Sequence, residues 1–109
     1  MKQKKVITVY RDDILSAIAK IHEYTIEGKD TFMHNELIQD AALRQLSIIG
    51  EAATKLPQEL RMQYDDIPWK QVVGLRNVII HEYSEVSIIR IWDTITEDLP
   101  KLKKSLECI

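Results

Sequence analysis

Between Ile88 and Leu106 the apolar residues Ile88, Trp92, Ile95, Leu99, Leu102 and Leu106 recur at intervals of 4, 3, 4, 3 and 4. An α-helix turns about 100° per residue, so this spacing draws one narrow stripe along a helix; on a strand, with its period of two, it would scatter over both faces. A stripe of that width is buried against other helices, and the rest of the chain must supply them. Ile14, Ala17, Ile18 and Ile21 give the apolar face of a first helix, expected to begin after Thr8 and to stop at Thr25 or Ile26, before Gly28. Asn35 suits the N-cap of a long second helix ending near Leu56, just ahead of Pro57. Its stripe is Ile38, Ala42, Ile49, Ala53 and Leu56, widened by Ala41, Leu46 and Ala52. A turn of helix is expected at Asp30 and a short helical piece between Pro57 and Tyr64. Ile67 and Pro68 then announce a third main helix from Trp69 to about Glu82, with proline near its first turn. The last helix should start around Ser87 and be kinked at Pro100, whose ring clashes with the Thr96 carbonyl and whose nitrogen has no hydrogen to donate. The expected fold class is all-α: a bundle of four principal helices with short extra helical pieces, forming a single domain over residues 1–109.

Composition removes several competitors. Three glycines and three prolines are too few for an all-β sandwich, and 45% apolar with 29% charged residues is too hydrophobic for a disordered chain. The lone Cys108 allows no disulfide within the chain, which fits a reducing cytoplasm. No apolar run approaches the roughly 20 residues that span a bilayer. The basic stretch from Met1 to Lys5 leads only into Val6, Ile7 and Val9 before Arg11, so neither a signal peptide nor a membrane anchor is expected. His22 and His34 lack a Cys or His partner at ligand spacing; no metal site and no cofactor are expected. Lys2, Lys4, Lys5, Lys101, Lys103 and Lys104 read as solvated ends, and Arg44 and Glu51 as a supporting pair on the second helix. A formal charge of −2 gives no overall attraction to polyanions, so any contact with nucleic acid must come from a local patch or from a surface shared between subunits.

The third helix carries the chemistry. Val72, Val73, Leu75, Val78, Ile79 and Ile80 spread over most of its circumference, which predicts a largely buried helix. Gly74, Asn77 and His81 fall in one sector, and Arg76 and Tyr83, seven residues apart, mark a second polar line. One reading is purely structural: Arg76 pairs with Glu51 or Glu82, His81 bonds a carbonyl, and Tyr83 closes the helix end. Against it, three polar groups crowded onto an apolar helix cost roughly 1–3 kcal/mol each if left unsatisfied, and a phosphate-handling site would account for them. Arg76 and His81 stand roughly 140° apart on an ideal helix, so Arg76 must swing across or the helix must end near His81.

Arg76, His81 and Tyr83 together match R-x4-H-x-Y, and in this the chain resembles the HepT toxins, a branch of the HEPN superfamily. The resemblance extends to Asp12-Asp13-Ile14-Leu15, Ile48-Ile49-Gly50-Glu51-Ala52, Ile67-Pro68-Trp69, Gly74-Leu75-Arg76-Asn77, His81-Glu82-Tyr83 and Trp92. It implies a HEPN-type bundle and a homodimer whose two motifs face a shared cleft. It also implies a metal-independent endoribonuclease, in which the RNA 2′-hydroxyl attacks the adjacent phosphorus and leaves a cyclic phosphate and a free 5′-hydroxyl. The residue types suit that reaction: an imidazole such as that of His81 exchanges protons near neutral pH, and a guanidinium such as that of Arg76 donates paired hydrogen bonds to phosphate oxygens. Asn77 would orient His81 or the scissile phosphate. The resemblance further implies a type VII-like toxin–antitoxin pair, in which a cognate MntA-type nucleotidyltransferase antitoxin transfers AMP to Tyr83 and so blocks RNA. The alternatives are a catalytically silent HEPN module that binds a nucleotide or a partner nucleotidyltransferase, and a purely structural helical dimer.

Overall fold

The computed structural model describes residues 2–77 and 85–109. Every regular element among them is helical: α1 (Lys2–Tyr24), α2 (Lys29–Met33), α3 (Glu36–Thr54), α4 (Gln58–Gln63), α5 (Trp69–Gly74) running into a 3₁₀ turn (Leu75–Asn77), α6 (Glu85–Asp93), a π turn (Thr94–Asp98) and α7 (Leu99–Glu107). The expected bundle with its extra helical pieces is what the chain forms. Among the described residues no helix is long and apolar enough to cross a membrane.

The stripes read from the sequence meet in one core. Ile14, Ala17, Ile18 and Ile21 of α1 are buried, as are Ala42, Leu46, Ile49, Ala52 and Ala53 of α3, and Ile88, Ile95, Leu99, Leu102 and Leu106 of the last three segments. Helix α3 is central, touching α1, α2, α5 and the 3₁₀ turn. Its entry is set as expected: the Asn35 side chain accepts a hydrogen bond from the Ile38 backbone N–H at 3.0 Å. Ahead of it, Gly28 at φ +98° lets the chain turn into α2, and Phe32 on that short helix is fully buried against Trp92, with ring centroids 5.2 Å apart.

Three boundaries differ from expectation. Helix α1 starts at Lys2 rather than after Thr8, because the Thr8 hydroxyl donates to the Lys4 carbonyl one turn back and so does not cap. The break announced by Pro100 takes the form of a wider turn: the Leu99 N–H reaches the Thr94 carbonyl, five residues back, and Pro100 then falls in the first turn of α7, where its missing N–H leaves no gap. The third helix, expected as one α-helix to Glu82, leaves α geometry at Leu75.

Candidate functional site

The segment bearing the motif is anchored at its start. Pro68 precedes α5, its carbonyl accepts from the Gln71 and Val72 N–H groups, and the Trp69 indole N–H donates to the Tyr64 carbonyl at 3.0 Å. Over its described part, residues 69–77, the segment is not the hidden helix that its aliphatic content predicted; Val78, Ile79 and Ile80 lie outside the described residues. Between 69 and 77 only Val72 is buried; Val73 and Leu75 are half-buried, and Gly74, Arg76 and Asn77 are exposed. The described part packs on α3, and Val72 and Leu75 also line a groove shared with Leu99 and Leu102 of α7.

The 3₁₀ turn lies directly on the backbone of α3. A Cβ added at Gly50 would overlap the Arg76 backbone nitrogen and lie 2.9 Å from both the Arg76 Cα and the Leu75 carbonyl carbon. One turn earlier on α3, the Ser47 hydroxyl donates to the Arg76 carbonyl at 3.2 Å. Main chain thus packs on main chain at Gly50, and a hydrogen bond from Ser47 fixes the register. Gly74 by contrast meets nothing among the described residues within 4 Å of where its Cβ would stand.

This arrangement holds the Arg76 backbone and leaves its side chain to solvent. The guanidinium makes no ion pair among the described residues, so the pairing with Glu51 considered from the sequence does not form. Nor do Arg44 and Glu51 pair: both are exposed, and seven residues separate their Cα atoms by about 10.5 Å along a helix. Asn77 sits beside Arg76 at the end of the turn. In 3₁₀ geometry residues three apart eclipse, which keeps Gly74 and Asn77 on one side as expected. His81 and Tyr83, with the rest of the motif, lie outside the described residues.

Two concavities flank the turn. A groove of about 450 Å³ between α5 and α7 is lined by Ile67, Val72, Leu99 and Leu102, and its charged lining residues are Asp66, Asp98 and Lys101. A more open groove of about 550 Å³ follows α3 and includes Arg44 and Ser47. Sequence reasoning missed Ser47 and named Gly50 only within the family resemblance, without a role. A signal existed for Gly50: a glycine inside a long helix costs roughly 0.5–1 kcal/mol relative to alanine, which points to a close approach without naming what approaches.

Residues 14–109 match the family described as "Ribonuclease HepT-like". A protein of Methanocaldococcus jannaschii named "Putative RNase" is 36% identical over 107 residues, which cover 97% of this chain and 98% of that one. "Probable ribonuclease HepT" of Thermococcus cleftensis is 36% identical over 99 residues, 90% of each chain. A second Methanocaldococcus jannaschii protein, named "Gamma-glutamylcyclotransferase and putative RNase", is 38% identical over 104 residues, 94% of this chain and 47% of that longer one. No solved structure matches.

Proposed function

Because the chain belongs to the HepT-like ribonuclease family, we propose that its 109 residues form one cytoplasmic endoribonuclease domain whose reaction is carried by Arg76 and His81. The observation that supports this most directly is the state of Arg76: exposed, without an ion pair among the described residues, and held by its main chain against Ser47 and Gly50. Among the described residues this guanidinium is fixed at its root and has no ion pair at its tip, while its other candidate partner, Glu82, lies outside them; a group so placed can take an anion from outside without giving up a described partner.

The RNA supplies its own nucleophile. The 2′-oxygen forms a bond to the adjacent phosphorus as the bond from phosphorus to the 5′-oxygen breaks, giving a 2′,3′-cyclic phosphate and a 5′-hydroxyl, with no metal ion required. One proton leaves the 2′-hydroxyl and one arrives at the departing 5′-oxygen; His81 carries out one of these transfers, and in a homodimer a second imidazole is at hand for the other. Arg76 binds the non-bridging oxygens, where negative charge grows. Asn77, next to Arg76 on an exposed turn, orients the phosphate or the imidazole. Two copies sharing a cleft would bring two Arg76 side chains to one strand, which a chain of net charge −2 needs if it is to hold RNA.

As a toxin, such an enzyme requires silencing. A cognate MntA-type nucleotidyltransferase would join AMP from ATP to the Tyr83 hydroxyl and release pyrophosphate, placing a charged, bulky group beside the arginine. Cleavage of RNA and growth arrest are measured for the wild type, Arg76→Ala and His81→Ala. Both variants are expected to lose activity by at least 100-fold, the scale of one acid–base or oxyanion contribution. Full activity in either folded variant removes the mechanism, and unmodified Tyr83 after incubation with ATP and the antitoxin removes the silencing step.

A further inference from the structure

Ser47 links Arg76 to a second guanidinium. Arg44 lies three residues before Ser47 on α3, about 4.5 Å along the axis, and both line the open groove on that helix. Arg44 is exposed and makes no ion pair among the described residues, although Asp40 stands four residues before it in the same groove. A single free arginine on a surface is ordinary. Continuity sets this one apart: the hydroxyl of Ser47 both lines the groove and donates to the Arg76 carbonyl, so Arg44, Ser47 and the Arg76 turn make one strip of surface. The groove on the other side of the turn has the wrong sign for a polyanion, with Asp66 and Asp98 against Lys101 alone.

We propose that Arg44 is a further RNA-binding residue, which holds a backbone phosphate flanking the one at Arg76 and so leads the single strand along α3. This rests on the nuclease reading above. Arg44 contacts no reacting atom in this scheme; its contribution is to binding, and the Asp40 carboxylate bounds the strip at its far end.

The test uses the full chain and a labelled single-stranded RNA of mixed sequence whose 2′-hydroxyls are methylated, which removes the nucleophile. Binding is titrated over a series of potassium chloride concentrations, and cleavage of the unmodified RNA is followed in parallel. Arg44→Gln keeps helix propensity and removes the charge. It is expected to weaken binding about three- to fivefold at low salt. The slope of log affinity against log salt should fall by about 0.7, the share of one phosphate contact on a single strand. The loss in cleavage should fall on KM rather than kcat. Arg44→Lys should recover the slope, and Asp40→Asn should tighten binding. An enzyme that cleaves RNA but shows the same slope and KM with Arg44→Gln overturns the strip and leaves the nuclease reading standing. A wild type that neither binds nor cleaves RNA removes both. A change in oligomeric mass with unaltered RNA affinity assigns the groove to a second copy and overturns the proposal.

Discussion

Two glycines a helix apart make opposite predictions. At Gly50 an added methyl would meet backbone, which cannot rotate away, so the 3₁₀ turn must lift from α3. Gly50→Ala is therefore expected to lower unfolding free energy by about 1–3 kcal/mol and to reduce cleavage by displacing Arg76. At Gly74 the methyl meets nothing among the described residues, and Gly74→Ala should be neutral or stabilising by up to about 1 kcal/mol. Urea denaturation of both variants checks the pair; equal effects would show that the turn has room to move. The contrast also marks what the sequence could disclose. Asn35 was legible as a cap because its acceptor and the Ile38 N–H are three residues apart and belong to one local pattern. The bond from Ser47 to Arg76 spans 29 residues, and no local pattern announces it.

At the scale of elements, apolar periodicity carried most of the fold: the stripes of α1, α3 and the last helix are buried except at Ile38, Ala41 and Trp92, which are half-buried. It failed where a side chain had more than one use. Thr8 reads as a helix start, yet inside a helix its hydroxyl bonds back to Lys4, and only the surrounding Lys and Gln residues, good helix formers, decide between the two. The aliphatic run after Trp69 reads as a buried α-helix, yet its first part is a short helix and a 3₁₀ turn with exposed polar residues, because docking on Gly50 tightens the chain there. Helix entry offers a clean measurement. Asn35→Ala removes the one side-chain cap on α3 and should cost about 1 kcal/mol, seen as a lower denaturant midpoint with an unchanged slope. A loss under about 0.3 kcal/mol would mean that packing with α2 sets the start of α3 without it.

At the scale of the whole molecule, the bundle is elongated, with extents of 46 × 23 × 21 Å. The 23 residues of α1 alone run about 35 Å, and the radius of gyration of 14.1 Å exceeds the roughly 13 Å of a rounder chain of this length. The homodimer proposed for catalysis predicts a light-scattering mass of about twice 12.7 kDa, and a monomer at assay concentration would require the cleft to be rebuilt from one chain. Trp69 sits against the Tyr64 carbonyl where α5 begins, whereas Trp92 lies on Phe32 at the other junction. Replacing either with phenylalanine leaves a single fluorophore at each place. If the bundle melts as one cooperative unit, both emissions change at the same urea concentration; separate transitions would reveal that the segment bearing the motif can come loose while the remainder stays folded.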